Sequence, residues 1–206
     1  VRILQDELLI RRAQRGDADA FEQLLLEHQK NVYNLCYRMA GNPDDAMDLS
    51  QETFLRAWRC LDQYQFASAF STWLYRLCSN ICIDFLRRRR RQQTVPLTFE
   101  DADGEEQTYA VPDVQPLPEE QVELKLTRET LAAAMAQLLP EHRAVLQLRV
   151  VNEMSYEQIA DVLDIQIGTV KSRLSRARNQ LKKILERGNL SRRASSESME
   201  GEVAAK

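Results

Sequence analysis

Residues 155–183 read SYEQIADVLDIQIGTVKSRLSRARNQLKK, two amphipathic helices joined by a short turn. Ser155 followed three residues later by Gln158 is a capping-box start. Ile159, Ala160, Val162 and Leu163 give the first helix an apolar face, and Asp164 to Gly168 form the turn. Val170, Leu174, Ala177 and Leu181 then recur at helical spacing and give the second helix a core stripe. The side facing away from that stripe carries Lys171, Ser172, Ser175, Arg176, Asn179 and Lys183, with Thr169 and Arg173 beside them. Arg and Lys pair with guanine, Asn with adenine, and Ser bonds bases or phosphates, so this face suits the DNA major groove. The plainer alternative is a solvated basic face on a helical hairpin. Cap, turn and polar face agree with one another and favour DNA binding.

Outward from this hairpin, the composition predicts an all-helical chain. Only six Gly and six Pro occur in 206 residues, among long amphipathic runs. The net charge of −3 argues by itself against a nucleic-acid binder, but the charge is unevenly placed. Residues 92–124 hold nine Asp or Glu and no Lys or Arg, between two mildly basic blocks. A partner within about 10 Å responds to that local charge rather than to the total.

The blocks give the expected domains: an N-terminal helical domain over 1–92, an acidic linker over 93–118, a C-terminal helix-turn-helix domain over 119–187 and a disordered tail over 188–206. The first block reads as four helices. Asp17 caps a long second helix whose face is Phe21, Leu24, Leu25, His28, Val32, Leu35 and Met39, and Gly41-Asn42-Pro43 ends it. The third helix runs from Pro43 to about Leu61, with Phe54, Leu55 and Leu61 as core residues. Ser71 caps the fourth, whose stripe is Leu74, Leu77, Ile81 and Phe85. The linker, rich in Pro and carboxylates, buries too little to fold alone.

No run of about 18 apolar residues occurs and no secretory signal is visible, so no membrane insertion and a cytoplasmic location are expected. Cys36, Cys60, Cys78 and Cys82 lie among apolar neighbours. They read as small buried hydrophobes, with no metal site and no cofactor expected. The lack of a disulfide framework fits the same location.

Three motifs in order carry a family resemblance. They are DAMDLSQETFLRAW (45–58), FSTWLYRLCSNICIDFLRRRRR (70–91) and the segment from LPEHRAVLQLRVV (139–151) through the helix-turn-helix. Together they resemble the bacterial RNA polymerase sigma factors of the extracytoplasmic-function (ECF) group, over about residues 6–187. The resemblance implies two small all-α domains joined by a flexible acidic linker. It implies a region 2 type domain that binds core polymerase and the −10 element, and a region 4 type domain that binds the −35 element. The recognition helix of this group often opens with Ser; here Gln166 stands there, a poor cap. A helix starting at Gly168-Thr169 is the alternative, which leaves Arg176 and Lys171 as the firmest DNA contacts.

By the same resemblance, Asp45, Asp48, Gln51, Glu52 and Trp58 meet core polymerase; Trp is often energetic at interface centres. Tyr64, Phe66, Phe70 and Trp73 surround a loop that captures an unstacked −10 base, since aromatic faces hold a base at about 1–3 kcal/mol. Arg76, Asn80 and Asp84 shape that pocket, and Arg87 and Arg88 begin a run of five arginines suited to phosphates. Asp84 has a plainer alternative, an i,i+4 pair with Arg88. The linker is expected to imitate a nucleic-acid strand in a basic channel of the polymerase. The expected partners are bacterial core RNA polymerase, promoter DNA and an anti-sigma protein. A partner wedged between the domains is expected to make an otherwise extended chain compact.

No phosphate-cradling glycine loop and no nucleophile–base pair stands out, so an enzyme is not expected. The competing class is a stand-alone helix-turn-helix regulator with a dimerising or sensing N-terminal domain. A helical adaptor would explain the acidic linker but not Arg87 to Arg91. A regulator binds its operator alone, whereas a sigma factor needs the polymerase to set the spacing of its two DNA-reading domains.

Overall fold

The computed structural model describes the backbone of residues 2–94 and 119–203 and the side chains of 6–92 and 127–188. Eight α-helices and no strand occur among the described residues. They are α1 (Arg2–Ala13), α2 (Ala18–Ala40), α3 (Pro43–Cys60), α4 (Phe70–Thr94), α5 (Glu119–Ala136), α6 (Pro140–Leu146), α7 (Tyr156–Leu163) and α8 (Ile167–Val203). A 3-10 turn, Leu61–Gln63, follows α3, and a wide π turn, Gln147–Val151, extends α6.

Local chemistry sets these limits. The Asp17 carboxylate accepts from the Ala20 N–H at 3.0 Å and starts α2. Gly41 ends α2 at φ 90°, a left-handed turn that costs glycine little. Asn42 then accepts from the Asp45 N–H at 2.8 Å, and Pro43 occupies the first turn of α3. α4 begins at Phe70, so Ser71 lies inside the helix instead of capping it.

The expected capping box of α7 is present. Ser155 Oγ accepts from the Gln158 N–H at 3.2 Å, and Gln158 Oε1 accepts from the Ser155 N–H at 2.8 Å. Asp164 closes α7 in the left-handed region at φ 52°, where a short polar side chain is tolerated and a β-branched one is not. Asp164→Val is expected to cost about 1–2 kcal/mol, read as a lower thermal midpoint. Asp164→Gly is expected to leave it unchanged or raise it.

Where a tail over 188–206 is expected, α8 continues through Gly188 to Val203, and residues 204–206 lie outside the described residues. An isolated glycine costs a helix only about 1 kcal/mol and no proline follows it. Within the expected linker, residues 95–118 lie outside the described residues.

α1 to α4 pack around Leu24, Val32, Met39, Leu61 and Leu74, each almost fully buried. α6, α7 and α8 pack around Leu148, Ile159, Val162 and Val170. The two groups also pack on each other. α4 lies against α7 and α6, and α2 against α6, so one continuous apolar core spans both. The expectation of an extended chain made compact only by a partner is therefore corrected. The second contact also explains why α4 buries Ile83 as well as Ile81 and Cys82, covering more than the single stripe its periodicity shows.

Arg143, 4% exposed, ties the halves together. One guanidinium N–H donates to the Met39 carbonyl in the last turn of α2. Nε donates to the Met135 carbonyl near the end of α5 at 2.8 Å. Helix C-termini leave carbonyls unsatisfied and attract cations.

Candidate nucleic-acid and docking interfaces

α8 starts at Ile167 because the Gln166 carbonyl accepts from the N–H groups of Thr169 at 2.8 Å and Val170 at 3.1 Å. Gln166 thus holds the cap position through its backbone, and the alternative start at Gly168-Thr169 is corrected. Burial of Val170, Leu174 and Ala177 turns Lys171, Ser172, Ser175, Arg176, Asn179 and Lys183 outward, all exposed. The Lys171 ammonium lies 5.9 Å from the centroid of the Tyr156 ring. Ser172 Oγ donates back to the Thr169 carbonyl at 3.0 Å, which leaves it as an acceptor. Arg178 and Lys182, absent from the sequence reading, are exposed on the same helix and add positive charge. Arg173 is half-buried and lines the cleft between the two helical groups instead of sharing the open face. Thr169 is half-buried as well.

On α3, Asp48, Gln51, Glu52 and Trp58 are exposed together, as one helical face requires. Trp58 packs one side on Phe21 with ring centroids 4.9 Å apart, yet remains 39% exposed. Leu55, read as core, is 52% exposed, and Met47 is 49% exposed on the same face. Thr53 and Ala57 fill the core positions that Leu55 was expected to take. Asp45 stands apart. Its carboxylate accepts from Arg89 at 2.9 Å and from the Asn42 amide, so it is engaged within the chain.

The aromatic loop divides. Tyr64 and Phe70 are buried, with ring centroids 5.7 Å apart, and the Tyr64 hydroxyl donates to the Ser68 carbonyl at 2.6 Å. Their faces are occupied, which corrects them as base platforms and makes them the floor of the loop. Phe66 sits at φ 59° with the Arg11 guanidinium 4.8 Å from its ring centroid. Trp73 packs on Tyr64 and Phe70 and stays half-exposed.

Further along α4, Arg76 is half-buried, and Asn80, Asp84, Arg87 and Arg88 are exposed. Asp84 pairs with Arg87 at 3.5 Å, which replaces the expected Arg88 pair. Arg87 Nε also donates to Glu141 of α6 at 2.7 Å. Burial raises the Glu141 carboxyl, but its own backbone N–H, the Arg87 guanidinium and the charge of Arg173 together hold it below the usual range. A cleft of about 400 Å³ results, lined by Asn80, Asp84 and Arg87 on one side and Glu141 and Arg173 on the other. The edges of the two basic surfaces therefore meet.

Comparison with known proteins matches residues 24–92 to Sigma-70 region 2 and residues 128–181 to Sigma-70 region 4. The ECF RNA polymerase sigma factor SigW of Bacillus subtilis is 33% identical over 176 residues, covering 85% of this chain and 94% of SigW. The RNA polymerase sigma-H factor of Pseudomonas aeruginosa is 37% identical over 183 residues, covering 88% and 94%. Among solved structures, CnrH in complex with the cytosolic domain of CnrY superposes with a TM-score of 0.61 at 26% identity, covering 88% of this chain and 97% of that one. The sigma factor RpoE in complex with the anti-sigma factor NepR, from Bartonella quintana, gives a TM-score of 0.56 at 27% identity, covering 81% and 96%.

Proposed function

Because this chain belongs to the ECF group of RNA polymerase sigma factors, we propose that its three exposed faces divide the work of transcription initiation. A sigma factor is a dissociable, non-enzymatic subunit that binds core RNA polymerase, directs it to promoters through −35 and −10 elements and helps open the DNA. The stand-alone regulator is not favoured. The exposed face of α3, from Met47 through Asp48, Gln51, Glu52 and Leu55 to Trp58, docks on core polymerase. The polar face of α4 with Asn80, Asp84, Arg87 and Arg88, and Trp73 at its start, meets the −10 element. Lys171, Ser172, Ser175, Arg176 and Asn179 of α8 read the −35 element, and Lys183 binds its phosphates. The domains divide as 1–92, 93–118 and 119–187. The chain works in the cytoplasm, where the polymerase is, and no described helix is long and apolar enough to cross a membrane.

The observation that carries the residue-level reading is the outward face of α8, basic and polar over a buried apolar stripe. It is tested with holoenzyme on a promoter selected from random DNA. Arg176→Ala is expected to lower affinity by about 1–3 kcal/mol and to relax specificity at one −35 position. Lys183→Ala is expected to weaken all sequences alike and reduce the salt slope by about one. Equal effects of both variants on matched and mismatched −35 sequences would remove Arg176 as a base reader.

The packed arrangement adds a step. The −35 and −10 elements lie about 25 base pairs apart, roughly 85 Å at 3.4 Å per base pair. Surfaces that share one cleft cannot span that distance, so the two halves separate when both elements are bound. An anti-sigma partner, by analogy with RpoE and NepR, holds the chain from the polymerase by covering the α3 face or by keeping this cleft closed.

A further inference from the structure

Cys36 of α2 and Cys78 and Cys82 of α4 meet in the core of the first helical group, each 0% exposed. The Cys36 and Cys78 sulfurs are 3.4 Å apart, those of Cys36 and Cys82 3.8 Å, and all three lie within 4.8 Å of one another. None is in a disulfide. Spacing alone pairs only Cys78 with Cys82, one turn apart on α4. The packing of α2 on α4 brings in the third thiol from 42 residues away.

We propose that Cys36, Cys78 and Cys82 form a three-sulfur binding site for a soft monovalent metal ion, cuprous copper.

The geometry fits a trigonal site. A metal–sulfur bond of about 2.3 Å puts three sulfurs roughly 4 Å apart around a central ion. Donor chemistry narrows the choice. Three sulfurs select soft metals, chiefly Cu(I), zinc or iron–sulfur clusters. Structural zinc takes four ligands, and an iron–sulfur cluster takes four cysteines. No fourth Cys, His, Asp or Glu joins this group among the described residues. Thr53 lies beside Cys36, but its hydroxyl donates to the Leu49 carbonyl at 2.7 Å, and a neutral hydroxyl is not a usual zinc ligand.

Burial limits the charge: all three sulfurs are 0% exposed, and a monovalent ion is neutralised by one thiolate where a divalent ion needs two. Any further sulfur that binds as thiolate releases its proton to solvent.

The position gives the site a consequence. α2 and α4 carry the ligands, and Thr53 places α3 against them. A bound ion would tie α2 to α4, which presents the −10 face, and so brace the two helices on which docking helix α3 packs.

The site is closed to solvent, so loading is tested during folding. Reduced full-length protein is refolded anaerobically with Cu(I), then desalted against the cuprous chelator bathocuproine disulfonate. The expected result is one copper retained per chain, three sulfur neighbours in X-ray absorption and a thermal midpoint several degrees above the apo protein. Cys60→Ala, which changes the half-exposed thiol outside the cluster, is expected to behave as wild type. Cys36→Ala and Cys82→Ala are expected to retain no copper, with helical circular dichroism confirming that they fold. X-ray absorption on wild type identifies the ligands even if a variant does not fold. Loss of copper from wild type, undiminished retention in Cys36→Ala, or fewer than three sulfur neighbours overturns the proposal.

Discussion

Leu55→Asp is expected to remove binding to core RNA polymerase while leaving the fold intact. Leu55 projects from α3 at 52% exposure between Glu52 and Trp58, and core packing beneath it is supplied by Thr53 and Ala57. An exposed leucine contributes little to folding, so the substitution is expected to shift stability by no more than about 0.5 kcal/mol. At a docking interface the same carboxylate must be desolvated against a partner surface that expects an apolar group. A central apolar anchor is commonly worth about 2 kcal/mol or more, at least roughly 30-fold in affinity.

Trp58→Ala is expected to weaken docking comparably, but it also removes the ring contact with Phe21 and so lowers the thermal midpoint. The triple change Asp48→Ala/Gln51→Ala/Glu52→Ala is expected to act more through the association rate and its salt dependence, because these groups are solvated. Fluorescence anisotropy against purified core enzyme separates the cases. Affinity of Leu55→Asp within twofold of wild type would place docking elsewhere and make the α3 face ordinary surface.

Arg143→Leu is expected to release the two helical groups from each other. The leucine keeps apolar volume but donates no hydrogen bond, so the Met39 and Met135 carbonyls both lose the guanidinium. Hydrogen bonds to charged groups are worth about 1.5–3 kcal/mol each, and the orphaned carbonyls remain close to the core. The Met39 bond joins the halves, whereas the Met135 bond lies within the second. Small-angle scattering is therefore expected to show a larger radius of gyration, and calorimetry a second, lower transition. Arg143→Lys is expected to fall short of wild type, since an ammonium cannot reproduce the guanidinium fork. An unchanged radius for Arg143→Leu would mean that apolar contacts around Ile83 hold the halves without it.

Acid is expected to act in the same direction, more weakly. The Glu141 carboxyl is held below its ordinary value, so its contribution is present at neutral pH and fades as pH falls through that lowered value. Arg87 and Asp84 are about half-exposed, which keeps the salt-bridge share small.

What the sequence alone determined is what local chemistry encodes. The capping box at Ser155 and Gln158, the Gly41-Asn42-Pro43 break, the apolar stripe of α8 and the outward set from Lys171 to Lys183 are all legible, because each depends on neighbours within one or two turns. The three motifs in order were enough to identify the family. What failed were particular judgements about which positions on a helix meet a neighbour. Leu55 looked like core until Thr53 and Ala57 took the inward positions, and Tyr64 and Phe70 looked like free aromatics until their rings packed together. Helical period restricts which residues share a face but not which face is covered. Arg143 reads as an ordinary charge in a helical run, and Cys36 as a lone small hydrophobe. Only the tertiary structure sets one guanidinium between two helix ends and three sulfurs around one point, because those partners lie 104 and 42 residues away.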